Sequence, residues 1–487
     1  MNTGKDFMLD AFSEMGTHLY VMDYAAVRQQ LRSLAANDTG SMRAGTYIRE
    51  RYSCSQPELL WVGAGGVRSD ADTLVSYLHA AAEAGVNIDL LRVPQIESDM
   101  MRLREFNFDE TDNINTVIAR TDYNLTRAFV RYSAFQHYGF VNPAELLNKL
   151  DVKDSTKREI IYHQLYDIPT QRPDRNFASQ AVDEIRCGRV AAFLKNSQPD
   201  NPLYRKLVDY LKTASTKQQR EKIICNIERC RWRQDDYPER HDKRVVVNIP
   251  SFMLYAANAD STISMRIVCG ARKTKTPLLN SRLERMDVNP RWIVPTSISK
   301  GIVYDTAYLR RERMFIQDKQ LGRVDYSQAS IDKVMRHEQY VIQESGDGNS
   351  LGRIIFRFRN NFAVYLHYTS SPHLFSRKVR AFSHGCIRVE KPMTLVAFIL
   401  GGDSGEIYDR IDYSIKADLS DNQDDNRKDK EPLDKDRLIW TASIEPALPL
   451  FITYYTCYAD ETGKPAEYDD IYGYDKVILE NLRPYIK

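Results

Sequence analysis

No stretch of this chain approaches the roughly 18 consecutive apolar residues of a membrane span. Its first residues, MNTGKDFMLDAF, lack the apolar core of a secretory leader. Either a cytoplasmic protein or a form whose export signal has been removed is therefore expected. A surplus of charge is missing too: 68 basic and 66 acidic side chains leave a net +2. Such a balance gives no reason to expect nucleic acid as the main partner. The cysteines at 54, 187, 225, 230, 269, 386 and 457 form no CxxC pair and no zinc-ligand spacing. Seven is an odd number, so at least one thiol stays unpaired within a monomer.

With 487 residues, 43% hydrophobic and 28% charged, the chain has the composition of a soluble globular protein large enough for two or three packed units. Its 29 tyrosines suit clefts that bind polar polymers, since the ring is apolar and the tip hydrogen-bonds. Tyrosine-rich cores account for them equally well.

The first half reads as helix. DADTLVSYLHAAAEAG (70–85) has an Asp start and a Gly stop. TDYNLTRAFVRYSAFQHYG (121–139) sets Leu125, Phe129, Tyr132 and Phe135 near helical spacing. NPLYRKLVDYLKTAS and TKQQREKIICNIERCRWR continue the pattern, with Cys225 and Cys230 as small buried hydrophobes.

At residue 244 the period changes. RVVVNIPSFMLYAAN and STISMRIVCG read as strands around a turn at Asn258–Asp260, and VNPRWIVPTSI as an irregular strand or sheet edge. IIFRFRN and FAVYLHY form a further pair around Asn360-Asn361. Between them, residues 300–348 look helical and interrupt the strands, which makes them a candidate lid or a plain surface excursion. KPMTLVAFILGG (391–402) reads as a helix with Pro392 in its first turn and a Gly-Gly stop. Residues 416–437, charge-dense and free of aromatics, read as a solvated loop, and PLFITYYTCYADETGK returns to strand.

The stretch SHGCIRVEKP (383–392) places a cysteine directly behind His-Gly. With 9 His, 22 Gly and 7 Cys, a shuffled chain would contain His-Gly-Cys only about 0.006 times. Catalysis by cysteine needs the thiolate, so a base or a positive field must stand close to it. His384 is too near along the backbone to face the sulfur easily, whereas His367, nineteen positions upstream, ends an apolar strand and can project from a neighbouring one. Ser383-His384-Gly385-Cys386 can also turn several backbone N–H groups toward one point, as an oxyanion hole requires. A satisfied core histidine beside an inert cysteine is the alternative.

YLH followed by SHGCIR resembles the active-site pattern of the L,D-transpeptidases, the YkuD-type catalytic domain. ICNIERCRW, VVVNIPSFMLY, VCGARKTKTP, NSLGRIIFRFRN and ITYYTCYADETGKPAEYDDIYGYD follow in the order seen in the larger, lidded members, and ARTDYNLTRAFVRYSAFQHYGFVNP looks like their helical scaffold. The resemblance implies an α+β protein: a mostly helical scaffold over 1–238, a mixed-sheet catalytic domain over 239–402 with a helical lid at about 300–348, and a charged loop and C-terminal segment over 403–487 packing back on one of the two. It implies Cys386 as nucleophile and His367 as general base, oriented by the Tyr368 carbonyl, with the amides of His384, Gly385 and Cys386 around the oxyanion. Ser383, Arg388, Tyr365, Tyr368 and Trp292 are the expected substrate-lining residues, Arg388 equally as a structural tie.

No metal or organic cofactor is implied. The implied partners are peptidoglycan stem peptides, a tetrapeptide donor and a diamino-acid acceptor, with carbapenems as acylating inhibitors, and the implied location is the periplasm or envelope. An L,D-carboxypeptidase, a protein-anchoring transpeptidase and a non-catalytic wall-binding scaffold remain as alternatives. The chain departs from the pattern in three places. Tyr368, Thr369 and Ser370 stand where Asp-Thr-Pro is usual, the peptidoglycan-binding insert before NIERCRW is missing, and SGDG (345–348) replaces a Pro-Gly-Pro-like turn.

Overall fold

The structure, a computed structural model, describes residues 19–39, 43–150, 165–417, 419, 433–459 and 464–487. The opening segment and most of the charge-dense run at 416–437 lie outside the described residues. Among the described residues no helix is long and apolar enough to cross a membrane.

The N-terminal half is helical, as its periodicity predicts. Helices α1 (Tyr24–Asn37), α2 (Arg43–Ser53), α3 (Asp70–Glu83), α4 (Val93–Glu105) and α6 (Arg175–Arg186) pack around α5 (Ile114–Tyr138). α5 starts where the Asn113 side chain accepts from the Thr116 amide and stops at Gly139, which takes a positive φ of 79°. Leu125, Phe129, Tyr132 and Phe135 are all buried along it. α7 (Leu203–Leu211) and α8 (Lys217–Arg231) lead on to the strands. α8 is tied to the scaffold by the Glu228 carboxylate, which accepts from the amides of Phe140 and Val141 at 2.7 and 3.0 Å. Cys225 and Cys230 are buried in it, and burial pushes both thiols up.

The second half is a mixed sheet. Its strands are β1 (Tyr166–Asp167), β2 (Arg244–Asn248), β3 (Met253–Ala257), β4 (Thr262–Gly270), β5 (Leu278–Val288), β10 (Ile354–Phe358), β11 (Leu366–His367), β12 (Ala381–Ser383), β13 (Ile387–Val389) and β14 (Thr441–Thr453), and β6–β9 belong to the insert described below. Pairing runs β10-β11-β13-β4-β3-β2-β14-β5, and β5 pairs back onto β10. The ring therefore closes on itself and exposes no free edge for another chain to extend. β11–β13 and β14–β2 are parallel, while the remaining pairs of the ring are antiparallel. β1 adds to β5 and β12 to β4.

Side chains alternate across each strand, so the register decides which residues share a face. Val247, Leu254, Ile267, Phe356, Leu366, Ile387, Val389 and Ile452 point into the ring and are 0% exposed. The residues between them face outward. That set includes His367 and Arg388, which are register partners on β11 and β13.

Two expectations change. The segment 403–487 does not merely pack back on the protein: β14 lies inside the ring between β2 and β5, so the sheet is incomplete without residues well past 402. The interruption of the strands is also not simply helical. It comprises β6 (Trp292–Ile293), β7 (Met314–Asp318), β8 (Arg323–Val324) and β9 (Gln339–Gln343), paired in the order β8-β7-β9-β6. With them go three short helices, α9 (Thr296–Ile302), α10 (Thr306–Arg311) and α11 (Ile331–Met335), and a small core of Val294, Val303, Leu309, Met314, Ile316, Val334 and Val341. The insert thus begins at Trp292 rather than near 300. Its strands are short and its loops polar, which hid the period-2 signal.

Candidate active site

Cys386 sits where β12 turns into β13, half-buried at the ring's outer surface. The turn before it is held by its own side chains and by a neighbouring loop. Ser383 Oγ donates to the Cys386 carbonyl at 2.6 Å and accepts from the Gly385 amide at 3.2 Å. Thr274 Oγ1 donates to the Ser383 carbonyl, and Thr276 Oγ1 to the Gly385 carbonyl, both at 2.8 Å. Gly385 adopts a φ of 117°, a backbone conformation that a side chain would strain. His384 is exposed, and no hydrogen bond joins its side chain to the sulfur.

With the Gly385 amide committed to Ser383, the amides of His384 and Cys386 make no hydrogen bond among the described residues. Two donors rather than the expected three are available to an incoming oxygen.

His367 is only 4% exposed and lies on the adjacent strand, on the same outward face. Its Nδ1 faces the Leu351 carbonyl at 3.3 Å. A carbonyl can only accept, so Nδ1 carries the ring proton and Nε2 is the basic atom. The Tyr368 backbone, the orienting group expected from sequence, adds a second and weaker pull in the same direction. Leu351 arrives on the chain returning from the insert, through a packing in which Gly352 is pressed against Tyr368: a Cβ there would lie 2.6 Å from the Tyr368 Cβ.

Tyr365, two residues before His367 and so on the same face, completes the cluster. Its ring meets His367 edge-on at 5.7 Å, and the Arg357 guanidinium lies 4.9 Å over it. The Tyr365 backbone amide and, more weakly, its phenol reach the Cys386 sulfur, which also makes a long contact to the Ala363 carbonyl at 4.0 Å. No hydrogen bond joins the sulfur to the His367 ring. Arg388, half-buried beside both, is thinly held: Nη1 is 3.5 Å from Thr369 Oγ1, and the buried Nε has no partner among the described residues. Trp292, expected to line the site, lies on the insert, packed against its core and paired with Gln343 of β9. Its place just after β5 made it look like part of the main sheet.

Electrostatically the pair is neutral. Burial, and secondly the nearby Arg388, push His367 down to about 3. Burial raises the Cys386 thiol, although Tyr365, Arg388 and Arg357 pull the other way. A general base tuned close to neutral pH is therefore not what the free protein holds.

This makes the fold acid-sensitive. His367 is held below its ordinary 6.5 in the folded chain, so between pH 6.5 and 3 the unfolded chain binds a proton that the native one refuses. Stability must fall as pH drops through that window, by up to roughly 1.4 kcal/mol per pH unit. His137, pushed down to about 4 mainly by burial, contributes to the same slope. In denaturant titrations at pH 6.5 and 4.5, His367→Gln should lose less stability than the wild type, by about 2 kcal/mol. Equal losses would mean that the folded protein already protonates this ring.

Comparison with known proteins agrees with the geometry. The model of the L,D-transpeptidase catalytic domain (YkuD) matches residues 242–410, and that of a scaffold domain matches residues 46–211. A Haemophilus influenzae protein named "Putative L,D-transpeptidase" is 26% identical over 318 residues, which cover 63% of this chain and 60% of that protein's length. The chain therefore carries a YkuD-type L,D-transpeptidase catalytic domain, with Cys386 and His367 on one outward face of its closed sheet, behind a helical scaffold domain.

Proposed function

We propose that the protein joins peptidoglycan stem peptides by 3→3 cross-links through a Cys386 thioester. The observation that carries this reading is the shared face of Cys386, His367, Tyr365 and Arg388 within the matched catalytic domain. His367 Nε2 takes the thiol proton as the sulfur attacks the carbonyl of the third residue of a tetrapeptide donor. The amides of His384 and Cys386 receive the oxyanion. The intermediate collapses, the C–N bond to the terminal D-Ala breaks, and its amine leaves with the proton from His367. The side-chain amine of an acceptor stem's third residue then attacks the thioester. His367 takes that proton, and the thiol is restored.

Because the free pair is neutral, proton transfer accompanies attack rather than preceding it. Arg388, with its unpartnered Nε, is free to meet a stem carboxylate. Ser383 holds the loop, and Tyr365 orders the sulfur. Tyr368 packs against Gly352 and lines the base's side of the cleft. The insert, whose returning chain touches His367, covers the cleft and slows water's access to the thioester. Carbapenems acylate the same sulfur, and the protein works in the cell envelope, where its substrate is.

Incubation with purified disaccharide-tetrapeptide tests the reading. Mass spectrometry should find a dimer lacking one D-Ala as the main product. A tripeptide monomer alone would make the protein an L,D-carboxypeptidase. Transfer only to a protein lysine would make it an anchoring enzyme, and no product at all would leave a wall-binding scaffold.

A further inference from the structure

Helix α5 threads the scaffold almost wholly buried, yet it carries many charged and polar side chains. Most of them are balanced. The Asp122 carboxylate accepts from Tyr52 Oη at 2.6 Å and from the amides of Leu60, Trp61 and Val62 at 2.8, 2.7 and 3.2 Å. Arg120 is paired with Asp99 and Asp112, at 2.6 and 2.7 Å.

One stripe of the helix is not balanced. Asn124, Arg127 and Arg131 lie at i, i+3 and i+7, on a single face. Asp38 comes over this face from the end of α1, and Arg92 from the start of α4. Asp38 pairs loosely with Arg127 at 3.2 Å and Arg131 at 3.3 Å, and accepts from Tyr123 Oη at 3.0 Å. Arg92 Nη1 donates to Asn124 Oδ1 at 3.1 Å, Arg127 Nη1 to the Leu90 carbonyl at 2.9 Å, and Arg49 Nη1 to the Asp38 carbonyl at 3.2 Å.

Among the described residues, Asp38 is the one carboxylate within ion-pair reach of Arg127 and Arg131, and Arg92 reaches none. Three guanidiniums thus share one negative charge, while Arg127, Arg131 and Asp38 are at most 7% exposed. Buried charges are normally paired, because an unpaired one loses its hydration without compensation. Among the described residues, two further donors in the same stripe have no partner: Asn124 Nδ2, on a residue 1% exposed, and Arg131 Nε. The Asn124 amide is fixed by the guanidinium on its oxygen, so its NH₂ prong cannot turn to serve as an acceptor. Arg92 is also held at a φ of 58°, a left-handed strain for a non-glycine residue. Excess positive charge, spare donors and a strained arginine together describe a receptor awaiting an anion.

We propose that the stripe Asn124–Arg127–Arg131 of α5, together with Arg92, binds an oxyanion, a carboxylate or phosphate group, in the scaffold domain. Planar guanidiniums grip either group through two parallel hydrogen bonds. The carboxylate could come from a stem peptide, the phosphate from another polymer or from solution.

Asn124→Asp is the decisive variant, since it installs a carboxylate where the ligand's would sit. The titration uses full-length protein carrying Cys386→Ala, so that turnover cannot interfere and the result stands apart from the proposed reaction. Inorganic phosphate and disaccharide-tetrapeptide are each titrated calorimetrically at matched ionic strength. At least one should bind saturably, with affinity about tenfold weaker in Asn124→Asp and in the half-buried Arg92→Gln. Asn124→Asp should also melt higher than its parent without ligand, by at least about 2 °C. Which probe responds identifies the source of the anion. Failure of both to bind, or undiminished binding in Asn124→Asp with a lowered melting point, would overturn the proposal.

Discussion

Cys386→Ala should give a folded protein that forms no acyl-enzyme and has lost at least about 10³-fold of any transpeptidation. The fold should survive because the sulfur contributes little to it. The thiol is half-exposed, and its contact with the Ala363 carbonyl is a long 4.0 Å. Removing it should cost about 1 kcal/mol or less. Activity has no substitute, since among the described residues no other thiol shares the outward face with His367. Cys457, the nearest in sequence, is 0% exposed, and so is Cys269 on β4. Intact-mass measurement after exposure to a carbapenem is the clean readout: one adduct on the wild type and none on Cys386→Ala. Product formation or an adduct on the alanine variant would remove Cys386 from the mechanism.

The Cys386–His367 relationship was legible in the sequence because strands alternate strictly. The segment FAVYLHY puts Tyr365 and His367 on one face, and SHGCIRV puts Cys386 and Arg388 on one face. The parallel register Leu366↔Ile387 then brings those faces together. The helices of the scaffold were legible for the same reason, with a period of 3.6 instead of 2.

What was hidden came from tertiary placement. No local pattern announces that a backbone carbonyl at Leu351 will meet the His367 ring, or that Thr274 and Thr276 will hold the Cys386 loop from another strand connection. β14 reads as a strand in the sequence, but its place between β2 and β5 is set by packing across the chain, not by its own residues. Trp292 is a further case: its segment reads as an irregular strand or sheet edge, and only the tertiary structure assigns it to β6 of the insert.

The second large effect is expected at Gly270, which lies outside the motif. It ends β4 beside Ser383, its register partner on β12. A Cβ built there would stand 2.1 Å from the Thr274 carbonyl oxygen and 2.6 Å from the Thr276 nitrogen, both backbone atoms that cannot swing aside. Gly270→Ala must therefore push the 271–276 turn away. Two hydrogen bonds run through Thr276 Oγ1, from the Gly270 amide at 2.9 Å and to the Gly385 carbonyl at 2.8 Å. Tyr472 is drawn into the same change, because its hydroxyl donates to the Gly270 carbonyl at 2.7 Å. Overpacking and the lost bonds should together lower stability by about 3–5 kcal/mol.

The loop amides should move with the turn, so that acylation slows about 100-fold in the protein that still folds. Thr276→Val separates the two causes. It removes the hydroxyl without the clash and should cost about 1–3 kcal/mol, with a smaller loss of rate. Melting curves and single-turnover carbapenem acylation on the pair decide the matter. If Gly270→Ala acylates as fast as the wild type, the 271–276 turn is not what positions the nucleophile. If Thr276→Val slows acylation as much as Gly270→Ala does, the hydroxyl bridge to Gly385 matters more to the reaction than the close approach of the two backbones.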